Sequence, residues 1–177
     1  MEIKRIDARH IELTLGRKAV AIGPEGGRSG DVVLYTQIPK QDVAMRPGVF
    51  FEPGEYEVQG IMVDGVKSDD GLVSYHIVQD GIMIAAVALR TVAALTDEVI
   101  EYLQPSQVLC IWLEEGKASD LADLLAKLEA SIVVPVGLPF ESGELEAVVK
   151  MPQESTEQIK ISSKDISFDQ PKLYILQ

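Results

Sequence analysis

Cysteine is almost missing from this chain of 177 residues, and histidine nearly so: there is one of the first and two of the second. A single thiol, Cys110, excludes an internal disulfide and any zinc site built from several thiolates. It lies in Val108-Leu109-Cys110-Ile111-Trp112, an apolar run that reads as a buried strand, where a thiol is inert packing rather than a nucleophile. Basic residues are also scarce. Sixteen Lys and Arg stand against 28 Asp and Glu, a formal net charge of -12. That balance argues against nucleic acid and against an anionic membrane as partners, because both are met by a basic footprint. No apolar stretch reaches the length of a membrane span, and residues 1–5 carry no apolar signal segment, so the expected location is cytoplasmic.

What is present is an ordinary globular composition, 46% hydrophobic and 25% charged, in a length that predicts one domain over residues 1–177. The first half is nearly all strand. Residues 10–15 alternate apolar and polar, Gly16-Arg17 turns, and residues 18–22 return as a hairpin. Residues 23–30 hold four glycines, but no Gly-Lys-Ser/Thr follows and a strand comes next, so a phosphate loop is excluded and a plain turn expected. Residues 31–35 read as a short buried strand. Residues 51–66 start at the Pro53-Gly54 corner, alternate through Tyr56 and Val58, and meet Gly60, which predicts a bulge or a close approach of two backbones. That strand is expected to resume at Ile61 and stop at Asp64-Gly65. Residues 72–78 and 82–89 form a hairpin about Asp80-Gly81.

In the second half the period changes. Thr96 is placed to cap a helix with Asp97 and Glu98 in its first turn, ending before Pro105. After the strand at 108–113, Ser119 is the expected cap of a stronger helix, with Leu121, Leu124, Leu125 and Leu128 on one stripe. Residues 132–136 are again a strand, and this alternation implies crossovers that cover a sheet face. The tail is looser, with segments at 144–151 and 157–161, turn residues at Ser163 and Asp165, and a last strand at 173–176.

The run Pro53-Gly54-Glu55-Tyr56-Glu57-Val58 with Gly60 and Gly65, set between Asp31-Val32-Val33-Leu34 and the Thr96 helix and followed by Ile132-Val133-Val134-Pro135, resembles the metallo-β-lactamase-fold hydrolases. Within them it is similar to the short Zn-dependent hydrolases of the ascorbate-6-phosphate lactonase type, over most of residues 1–137. The resemblance implies an α/β (α+β) fold, an αββα sandwich reduced in size. It also implies where metal ligands would stand. The family's His-x-His-x-Asp-His loop falls on Gln37, Pro39, Gln41 and Asp42, the bridging carboxylate on Arg90, and a further ligand histidine on Gly137. Residues 67–71, where such proteins carry a longer loop with another histidine, are short and histidine-free. An arginine has no lone pair to give and a glycine no side chain, so the metal-gripping set is replaced.

The expectation is therefore a non-catalytic, metal-free member of this fold, with no cofactor, acting as a binding or assembly module. Its partner is an unidentified protein or small molecule, and pairing into a homo-oligomer is left open. Arg90 serves in this reading as an anchor for an anion, or else as an exposed strand end. The alternative is a hydrolase. Its metal would be relocated to His10 and His76 with Asp42 or Asp69, or its chemistry would be metal-free, on Glu55 and Glu57, which share one strand face.

Overall fold

A computed structural model describes residues 1–24, 30–39 and 47–177 of the chain. The strands are β1 (Glu2–Arg5), β2 (Ile11–Leu15), β3 (Lys18–Gly23), β4 (Val32–Tyr35), β5 (Val49–Phe50), β6 (Gly54–Val58), β7 (Ile61–Lys67), β8 (Val73–Gln79) and β9 (Ile82–Leu89). There follow α1 (Asp97–Leu103), β10 (Val108–Leu113), α2 (Ala118–Lys127), β11 (Ile132–Pro135), α3 (Ser142–Val148), β12 (Gln153–Thr156), β13 (Gln158–Lys160) and β14 (Lys172–Leu176). Two sheets result, one in the order β13-β1-β2-β3-β4-β5 and one in the order β12-β14-β11-β10-β9-β8-β7-β6. Hairpins build the antiparallel run β6 to β9, and β9, β10, β11 and β14 then lie parallel.

The side-chain period explains the layering. On β9, Ile84, Ala86 and Ala88 join Ile3, Leu13, Val20 and Ile22 in the core between the sheets, while Ala85, Val87 and Leu89 face Leu103, Leu121, Leu124 and Leu145 of the helices. Strand β10 divides in the same way, with Val108, Cys110 and Trp112 inward and Leu109, Ile111 and Leu113 against the helices. Burial on both faces is why these strands read as unbroken apolar runs. Helices α1, α2 and α3 thus cover one face of the larger sheet. Among the described residues no helix covers the outer face of the smaller sheet, where Ala21, Val33, Tyr35 and Val49 form a separate cluster with Phe51.

Tyr75 ties the two sheets together. Its ring is fully buried and its hydroxyl donates to the backbone oxygen of Tyr35 at 2.7 Å, which gives the buried hydroxyl its partner. Burial holds its phenol well above the usual tyrosine range. Cys110 is fully buried as expected, and desolvation pushes its thiol up to about 12.

Three expectations are corrected. Gly60 is no bulge: Gln59 and Gly60, at φ 53 and 80°, form the two-residue turn that joins β6 to β7, with Val58 paired to Ile61. The close approach lies at Gly65, in the middle of a strand that runs on to Lys67; a Cβ there would stand 3.1 Å from the Glu52 backbone oxygen and 3.2 Å from the Tyr75 ring. The second helix begins at Ala118, not after Ser119, because the Asp120 carboxylate turns back to accept from the Lys117 amide at 2.8 Å. Thr96 caps α1 as expected, accepting from the Val99 amide at 3.3 Å.

Candidate functional site

Side by side, the carboxyl ends of parallel strands make a natural place for a site, since successive loops leave from one edge. Here β9 is followed by Arg90, β10 by Glu114 and β11 by Val136-Gly137. The smaller sheet adds to the same edge. Thr36, just past β4, donates its amide to the Gly23 carbonyl at 2.9 Å and accepts from the Val73 amide at 2.8 Å, so the chain crosses from one sheet to the other and carries Gln37 with it.

Glu114 is the centre of the arrangement. Its Oε1 accepts from Gln37 Nε2 at 2.5 Å and from Arg9 Nη2 at 2.9 Å, and its Oε2 lies 3.5 Å from Arg90 Nε. The Glu114 side chain is only 26% exposed, against about half for each arginine side chain. Arg9 is placed from below, because Trp112 Nε1 donates to its backbone oxygen at 2.8 Å. Arg90 is placed by Asp70, whose Oδ2 accepts from the Arg90 amide at 2.6 Å while Oδ1 accepts from Ser68 Oγ and the Leu72 amide. Residues 68–71 are therefore a short turn closed by its own carboxylate.

Of the positions singled out in the sequence, the structure brings Gln37 and Arg90 together on one carboxylate. Gly137 lies in the cleft that opens beside it, at φ 59° with its Cα side against the Ala8 backbone oxygen. Pro39 is half-buried two residues beyond Gln37 and offers no side-chain donor atom. Gln41 and Asp42 lie outside the described residues. Glu114, Arg9 and Asp70 escaped the sequence reading. Glu114 had a signal, being the first charged residue after the apolar strand β10.

This donor set does not suit a metal ion. Among the described residues, Arg90 has no lone pair and Gly137 no side chain, and Gln37, whose Nε2 donates to Glu114, brings only a neutral amide oxygen. The relocated alternative is not assembled either: His10 Nδ1 lies 2.8 Å from Asp7 Oδ1, whereas His76 Nε2 lies 3.2 Å from the Pro105 backbone oxygen beyond α1, and Asp69 is exposed on the 68–71 turn. Among the described residues no group of three or more His, Cys, Asp and Glu gathers at metal-holding distance. Glu55 and Glu57 are both exposed on β6, at the far edge of the larger sheet from Glu114, where like charges discourage pairing of that edge with another strand.

The cleft has a volume of about 640 Å³. Its floor is the buried side chains of Ile11, Leu113, Val136 and Leu176, and its charged rim is Arg5, Arg9, Glu114 and Glu141. Leu138, Pro139, Phe140 and Ile175 complete an apolar wall.

Solved structures share this architecture. A protein named as a Zn-dependent hydrolase of the metallo-beta-lactamase superfamily from Thermotoga maritima superposes with a TM-score of 0.75 over 99% of this chain and 98% of its own, at 15% identity. One named as a metal-dependent hydrolase from Parabacteroides distasonis gives 0.65 over 99% and 93% at 13% identity. The metallo-beta-lactamase fold protein YhfI from Bacillus subtilis gives 0.61 over 99% and 96% at 7% identity. Both hydrolase names are provisional assignments. The chain has the metallo-β-lactamase fold, and at these identities the likeness is one of fold alone. No protein-family model and no curated protein matches it.

Proposed function

We propose that this chain is a non-catalytic, metal-free protein on the metallo-β-lactamase fold, working as a binding or assembly module in the cytoplasm. The observation that supports this reading is the Glu114 network. Where the resemblance puts ligand positions at Gln37 and Arg90, an amide N–H and a guanidinium meet on a carboxylate, an arrangement of donors around an anion instead of lone pairs around a cation. Water activation of the kind metal hydrolases use needs donors with free lone pairs converging on one point. Arg90 has none, and Gln37 brings a single neutral amide oxygen in place of an imidazole.

Fold does not carry activity with it, and the neighbours' names stay with the neighbours. What remains is a cleft with a charged rim at the carboxyl edge of the parallel strands. Its occupant in this reading is a small molecule or a segment of a partner protein, including a second copy in a homo-oligomer. No helix among the described residues is long and apolar enough to cross a membrane.

Elemental analysis of protein purified without chelator tests the proposal. Zinc, iron and manganese far below one ion per chain are expected. Near one ion per chain, with hydrolysis of a lactone or phosphodiester that stops when the ion is stripped, overturns it.

A further inference from the structure

Charge and apolar surface are distributed unevenly in the 640 Å³ cleft. Glu114 is met by Arg9, Arg90 and Gln37. Arg5, on the same rim, is different: its Nε donates to the Asp7 backbone oxygen at 2.9 Å and its Nη1 to the Leu176 backbone oxygen at 3.1 Å. Both acceptors are neutral. Among the described residues no carboxylate pairs with Arg5, and two of its five N–H groups are used, leaving donors aligned by two fixed backbone contacts.

We infer that the cleft binds a small organic monocarboxylate, its charged end at Arg5 on the rim that also holds Arg9 and its apolar body on the partly exposed Leu138, Phe140 and Ile175. This rests on the binding-module reading above. Three features select that class. A guanidinium matches a planar carboxylate with two parallel hydrogen bonds, and Glu114 shows the neighbouring Arg9 engaged with a carboxylate. A dianion such as phosphate would stand next to Glu114 and Glu141 on the same rim, where like charge opposes it. The apolar wall of Leu138, Phe140 and Ile175 takes a hydrocarbon body and gives nothing to an inorganic ion.

The test is an NMR titration of the amide signals with acetate, hexanoate, methyl hexanoate, hexylamine and inorganic phosphate. Hexanoate is expected to shift residues 5–11 and 136–141 saturably and to bind at least about tenfold tighter than acetate, a factor that burying two methylenes supplies. The ester and the amine are expected not to saturate. Arg5→Gln is expected to weaken hexanoate about tenfold through loss of a charged donor. If that variant unfolds because the Leu176 contact is lost, Phe140→Ala decides, weakening hexanoate but leaving acetate unchanged. No saturable shift by hexanoate, equal binding of the ester or the amine, or tighter binding of phosphate overturns the inference. Metal content of the same sample separates the two claims: an ion-poor protein that ignores hexanoate sinks the ligand assignment only, and an ion-bearing protein sinks the binding-module reading whether or not hexanoate binds.

Discussion

Arg90 and Glu114 face each other across the ends of two parallel strands, with Nε 3.5 Å from Oε2, and the Glu115 amide returns to the Arg90 carbonyl at 2.8 Å. The pair is asymmetric. Glu114 is three-quarters buried and has three partners, whereas Arg90 is half exposed. Glu114→Ala leaves two guanidiniums and an amide without their acceptor and is expected to cost about 1–2 kcal/mol; Arg90→Ala, which removes one exposed charge, is expected to cost less than about 1 kcal/mol. Denaturant unfolding of both single variants and the double variant measures the coupling, and equal losses for the two singles would contradict the asymmetry.

Gly137 sits in the left-handed region with 3.2 Å between its would-be Cβ and the Ala8 oxygen. Gly137→Ala is expected to destabilise the protein by about 1–2 kcal/mol, from the positive φ and from that backbone contact together. Thermal unfolding checks this. An unchanged midpoint would mean that the 136–141 loop re-forms freely.

Tyr75 reaches from one sheet to the other through its hydroxyl. Tyr75→Phe keeps the ring and removes the hydrogen bond between the sheets, an expected loss of about 1 kcal/mol. The variant should also exchange the amides of β8 faster than those of β10. Uniform exchange would show that the contact does not hold the two sheets locally.

Cys110 carries a pH signature. Its folded thiol, pushed up to about 12 from 9.0, stays neutral where the unfolded thiol ionises. Stability from this group is complete below pH 9 and is lost as pH rises toward 12, on the order of 4 kcal/mol across the window. Unfolding free energy of the wild type should therefore fall more steeply between pH 9 and 12 than that of Cys110→Ala. Parallel curves would contradict the burial argument, as would rapid alkylation of the native thiol at pH 8.

Much of the fold was legible because its signals are local. Asp80-Gly81 marks a turn wherever it falls, Thr96 followed by Asp97 and Glu98 starts a helix, and the apolar runs at 82–89 and 108–113 need burial on both faces. The errors were local as well. Gly60 and Gly65 are both glycines in an alternating stretch, and only pairing of Val58 with Ile61 shows that the first is a turn and the second a packing site. Ser119 and Lys117 differ as caps through where the Asp120 side chain goes, which composition does not state.

The site divides along the same line. That Arg90 and Gly137 do not ligate a metal follows from their chemistry alone, and so does the inertness of a lone cysteine within an apolar strand. That Arg9, Gln37, Arg90 and Glu114 meet was decided only in three dimensions, since they lie on loops from two sheets and are up to 105 residues apart. Side-chain periodicity is a short-range property of the chain, whereas convergence of charges depends on register and crossover, which the packing of one sheet on the other sets.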